Sequence, residues 1–217
     1  MHSNRLSHRQ SRACRRKGLR NCLLPALVLA TLLGPLAGLT ASPLLAGPLL
    51  DAAAEAERKA AAGDPAGAFE AIHAGMAKFS ASLPLSVPRA LFVTETPTAY
   101  RAYTAKKEPI FERGQPILAY VEVLGLQWQP LAGDLHQAHF TVDLELSDDK
   151  GKTLALQKEF GNFTFTAHSP AQEVYTHLTL DVAGAAPGTY ILRYTINDVA
   201  AERSVPFELP FTLVEKN

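Results

Sequence analysis

Between positions 190 and 197 the chain alternates: Tyr190, Leu192, Tyr194 and Ile196 share one parity, and Arg193, Thr195 and Asn197 share the other. Such alternation marks a strand with one face in a core and one face in water. Pro187-Gly188 launches this strand and Asp198 ends it. The chain then returns over 204–214, with Val205, Phe207, Leu209, Phe211 and Leu213 on one side. The same reading predicts strands over 89–95, 100–104, 117–124, 126–129, 135–146, 153–160, 163–167 and 174–182. Turn signals separate them, and no long helical pattern intervenes, which argues for an all-β sandwich. Parity supplies a core: Ile117, Ala119, Val121 and Val123; Ala138, Phe140, Val142, Leu144 and Leu146; Val174, Leu178, Leu180 and Val182.

Ahead of the strands the period changes. Residues 48–62 are rich in Ala and Glu and lack β-branched side chains, so they read as a helix that Gly63 ends. Asp64 caps a second helix with Pro65 at its first position. Phe69, Ile72, His73, Met76 and Phe79 fall on one face of it, while Ala71, Ala74 and Gly75 let a partner helix approach. This Gly-Asp turn with Ala68-Phe69 and Ile72 resembles one tetratricopeptide-like helical hairpin, but a single repeat builds no array. The predicted division is a leader over 1–46, a helical hairpin over 47–82, a linker over 83–88 and a β-sandwich over 89–217.

Two prolines orient the last strand. Pro206 and Pro210 share a parity, so both missing N–H groups lie on one side of it. That side is predicted to be the open edge, with the 190–197 strand on the other. The prolines also guard this edge against strand addition.

Asp148-Asp149-Lys150-Gly151-Lys152-Thr153-Leu154, then Pro187-Gly188-Thr189-Tyr190, then Asp198 and a Phe-rich closing strand resemble bacterial Ig-like and macroglobulin-like domains. The resemblance covers roughly the last 75 residues. It implies a mainly β fold, an Ig-like antiparallel β-sandwich, and a place outside the cytoplasm; the short helical hairpin read above precedes that sandwich. It implies no activity.

A formal charge of zero conceals two opposed regions. Residues 1–46 hold seven basic residues and no acid, leaving fourteen basic against twenty-one acidic residues in the remainder. An acidic body argues against a nucleic-acid partner. Leu23 to Leu33 follow the basic stretch as an apolar run of signal-peptide length, and cleavage is expected after Ala41 or Ala46. The competing reading is an uncleaved anchor, since no charge occurs between Arg20 and Asp51. Either way the body is expected in the periplasm or outside the cell, touching a membrane only through an uncleaved leader. Both cysteines, Cys14 and Cys22, lie in the leader, so a processed chain has no disulfide and no thiolate site.

Candidate chemistry is sparse. His136 and His139 sit three apart on a predicted strand and face opposite sides; His139 and His177 share an outward parity. Asp148-Asp149-Lys150-Gly151 reads as a hairpin turn rather than a calcium loop. Asn162-Phe163-Thr164 matches a glycosylation sequon. No Gly-x-Ser-x-Gly, Ser-x-x-Lys or His-Glu-x-x-His occurs. The candidate binding surface is a stripe of Tyr120, Leu124, Leu126 and Trp128, joined by Leu118, with Glu122 marking that face as outward. Three accounts of the stripe compete: the hairpin covers it with Phe69, Ile72, Met76 and Phe79, the favoured one; Gly125 forms a bulge that flips the phase; or it is an exposed partner site. The sequence thus predicts a non-catalytic accessory or interaction module for a protein or envelope ligand, with no cofactor and no metal. The alternatives are a periplasmic metal binder using surface histidines and an enzyme with a non-local site.

Overall fold

The computed structural model describes residues 47–216. The leader lies outside the described residues. Two helices come first, α1 (Pro48–Ala61) and α2 (Pro65–Ser82). Gly63 takes φ +80° between them, a conformation glycine adopts without steric cost. The Asp64 carboxylate accepts a hydrogen bond from the Gly67 N–H at 2.8 Å, and Pro65 opens α2, as predicted.

Nine strands follow: β1 (Ser86–Val93), β2 (Ile110–Glu112), β3 (Ile117–Leu124), β4 (Gln129–Leu131), β5 (Leu135–Asp148), β6 (Thr153–Ala167), β7 (Tyr175–Leu180), β8 (Gly188–Asp198) and β9 (Arg203–Val214). The chain is mainly β. One sheet has the order β1-β3-β7, antiparallel throughout; the other has β2-β9-β8-β5-β4, with β6 paired to β5. Only the short β2–β9 pairing is parallel.

The two sheets close on one core. Ile117, Ala119, Val121 and Val123 of β3 meet the even-numbered residues of β5 and β8, together with Leu209, Phe211 and Leu213 of β9. Phe111, Phe211 and Phe92 meet edge to face, with centroids 5.1–6.2 Å apart, and close one end. The core parities read from the sequence hold on β3, β5 and β8. The proline argument holds too: Pro206 and Pro210 sit opposite Thr195 and Ile191 of β8, and the far side of β9 is used only beyond them, by β2 along Thr212–Val214.

Three strand expectations are corrected, and one strand is added. Residues 100–104 are not a strand but part of a segment that crosses the outer face of the three-stranded sheet, joined to β1 by the isolated bridge Val93–Ala105. The strand expected at 126–129 begins later, at Gln129, because Gly125 at φ +81° breaks the line of β3. The expected pair 153–160 and 163–167 is one strand, β6, carrying a bulge between the Leu144–Gln157 and Val142–Gly161 pairings. Asp143 holds that bulge, accepting from Lys158 Nζ at 2.7 Å and from the Glu159 N–H at 3.0 Å. Finally, β2 was not foreseen; three residues are too few to show a period.

Candidate functional site

The predicted stripe does not form one surface. Tyr120 is wholly buried (0% exposed), Leu126 has turned into the main core, Trp128 packs partly against that core, and Leu124 is half-buried. Gly125 causes the turn-in. It adopts φ +81°, and a Cβ there would lie 2.5 Å from the Pro84 carbonyl oxygen. The phase-flip account therefore describes Leu126. The favoured account, a covering hairpin, is corrected: Phe69, Ile72, Met76 and Phe79 all stay exposed.

What covers Tyr120 is the segment between β1 and β2. A tight turn brings Ala99 and Ala102 together, with Arg101 at φ 60°. This aims the Arg101 N–H at the Tyr120 hydroxyl oxygen, 2.9 Å away. The Tyr103 ring lies on the Tyr120 ring at 4.5 Å, and Tyr175 of β7 flanks it at 5.6 Å. Beneath sits Glu122, 1% exposed. Its carboxylate accepts from the Tyr100 and Tyr120 hydroxyls, both at 3.2 Å, and pairs with Arg89 Nε and Arg101 Nε, both at 3.5 Å. Four of the six tyrosines in the chain thus gather around one acid. Burial, joined by the nearby Glu122 charge, pushes the Tyr100 phenol up. Burial, opposed by the Arg101 N–H, pushes the Tyr120 phenol up to about 12. With its lone pairs engaged, Glu122 pins the crossing segment to the sheet. The sequence signal was present: an acid inside an otherwise apolar parity, and Tyr-Arg-Ala-Tyr at 100–103.

A second buried carboxylate is likewise occupied. Asp198 accepts from the Gln127 N–H and from Arg203, both at 2.9 Å, and Arg203 also donates to the Gly125 carbonyl at 2.7 Å. This clamps the turn between β8 and β9 to the chain leaving β3. The histidines do not converge. His139 on β5 bonds Asn162 at 3.0 Å, whereas His177, of the same outward parity, lies on β7 in the other sheet. Among the described residues no three His, Cys, Asp or Glu side chains gather as a metal site. Asp148 spends its carboxylate on its own turn, accepting from the Lys150 and Lys152 N–H groups at 3.0 and 2.8 Å.

The hairpin offers the most distinctive surface. Its two buried residues are small, Ala56 and Gly75, and a Cβ on Gly75 would collide with Ala52. Its large apolar residues stay partly exposed: Phe69 is 66% exposed, Ile72 38%, Met76 42% and Phe79 41%, with Leu49 and Leu50 exposed at the start of α1, and Phe69 and Met76 line a groove with Ser169, Ala171 and Gln172 of the body. These six are half of the exposed large hydrophobic residues described. Neither helix contributes to the main core. Among the described residues the side-chain hydrogen bond from hairpin to body is His73 Nδ1 with Ser169 Oγ, 3.2 Å apart.

Fold and site together define a mainly β chain with two buried acid clamps and a helical hairpin whose apolar side stays partly exposed. No family model and no curated protein sequence matches it. Among solved structures it is weakly similar to a family 123 glycoside hydrolase from Clostridium perfringens, at 10% identity and TM-score 0.38 over 62% of this chain and 28% of that one. It is also weakly similar to the Pseudomonas fluorescens alkylpurine DNA glycosylase AlkC bound to DNA containing an abasic site analog, at 8% identity and TM-score 0.33 over 70% of this chain and 38% of that one. The chain spans less than two fifths of either structure.

Proposed function

We propose that this protein is a non-catalytic interaction module of the cell envelope, periplasmic or extracellular, with an Ig-like sandwich as its body and the exposed row of α2 as its contact surface. One observation carries the reading: four large apolar side chains along one helix face stay partly exposed, beside a groove to the body, while small residues fill the helix–helix contact. Soluble domains seldom leave an apolar row of this extent without a partner for it. The non-catalytic part draws on the two buried carboxylates. Each is held by arginine and by tyrosine or backbone donors, which leaves neither free to act as a base. The basic, then apolar, start of the chain supports export.

A photoreactive phenylalanine analogue placed at position 69 tests the reading in intact cells, with the same analogue at Leu131 of β4, another exposed leucine, as reference. Irradiation is expected to give a defined adduct with an envelope component from position 69 and none from 131. Equal labelling at both positions, or none at 69, would overturn it.

A further inference from the structure

We infer that the outer edge of β6 over residues 153–157 takes up an extended strand of another polypeptide, which seats apolar side chains in the cleft beside that edge. This surface is separate from the row on α2, and neither surface depends on the other. The backbone is the first reason. β6 pairs with β5 from Thr153 to Ala167, and among the described residues no strand pairs with its other side. In an antiparallel ladder, alternate residues turn both their N–H and their C=O to the same side. The outer side of β6 therefore presents free donors and acceptors at the spacing of a further strand. An extended polypeptide supplies both kinds of group at that spacing.

The two borders of the same sheet differ, which is the second reason. At one border β9 lacks outward N–H groups at Pro206 and Pro210 and carries β2 beyond them. At the other, β6 contains no proline. Every residue from Lys152 to Glu159 is exposed, Leu154 and Leu156 among them. Lys158 is the one cation within β6, and it turns to Asp143 at 2.7 Å rather than guarding the edge. Glu159, at φ 49°, begins the bulge that ends the straight stretch.

The third reason lies on the inner face. Ala155 and Gln157 sit opposite Leu146 and Leu144, whose side chains belong to the core. Next to them a cleft of about 400 Å³ is lined by Leu144, Leu146, Ala155, Leu180, Val182 and Ala185. A strand added to β6 turns every second side chain to this face. Main-chain hydrogen bonds then hold the strand, and the aliphatic cleft selects its side chains. The partner is thus an extended segment with Val, Ile or Leu at alternate positions.

The test uses the full chain and a fluorescent peptide of alternating valine and threonine, with binding read by anisotropy. Two analogues carry N-methyl groups on the valines or on the threonines, so each keeps its side chains and loses the N–H groups of one parity. The parent peptide is expected to bind saturably. One analogue should retain that affinity and the other lose about tenfold or more, because one set of N–H groups faces β6. Ala155→Lys places a charge on an exposed residue at the cleft, which should weaken the parent peptide to a similar degree and leave thermal unfolding unchanged. Equal affinity of the two analogues, undiminished binding by Ala155→Lys, or no saturable binding of the parent would overturn the inference. Because the analogues are compared on the unaltered chain, a failure of the variant to fold does not protect it. An unaltered chain that sediments as a dimer, beside an Ala155→Lys chain that sediments as a monomer, would also overturn it, since a second copy would then occupy the edge.

Discussion

Glu122 shows how a single acid fixes a segment that no period predicts. Two phenol hydroxyls and two guanidinium groups converge on it, and the guanidiniums are themselves exposed enough to rehydrate. Glu122→Gln keeps the shape and removes the charge. It is expected to cost about 1–3 kcal/mol, because buried donors lose their ionic acceptor; the midpoint of urea unfolding reads this directly. The same cluster sets a pH dependence. The Tyr120 phenol ordinarily titrates at 10.0, and burial raises it to about 12 in the fold. The folded state therefore holds this proton more tightly than the unfolded one. That stabilisation is complete below pH 10 and is lost as pH rises through about 12. Urea midpoints followed across this interval should fall less steeply in Tyr120→Phe than in the unaltered chain. Parallel slopes would show that the phenol is not buried as described.

At the scale of elements, the strands legible in the sequence were those whose partners make one face apolar and the other wet. β3, β5, β8 and β9 pair over long registers and show clean alternation. The segment over 94–106 escaped because it lies on a sheet rather than in one, and its order comes from Tyr103, Arg101 and distant Glu122. β6 read as two strands because its bulge interrupts the period, while Asp143 restores continuity through contacts fifteen and sixteen residues away. Gly125 was legible as a bulge but not as a close approach to Pro84. Gly125→Ala meets both a left-handed backbone and a colliding carbonyl. The expected loss is about 1–3 kcal/mol, seen in thermal unfolding. An unchanged transition would mean that Leu126 enters the core without this turn.

On the scale of the whole molecule, two sets of apolar residues do different work. The sheet residues meet one another and make the body cohere. The row on α2 was legible as a helix face, but its direction was not. Periodicity tells which residues share a face and leaves open what that face meets, so the sequence alone paired it with the β3 stripe. The stripe instead found Tyr103 and the main core, and the row was left outside. The account stands on this division. Urea unfolding of the Phe69→Ser, Ile72→Ser, Met76→Ser variant measures it most directly. The expected change is no more than about 1.5 kcal/mol in all, about 0.5 for each of three surface substitutions. A loss of several kcal/mol, on the order of that caused by emptying a core position, would show that the row is folded against the chain and contradict its assignment as a contact surface.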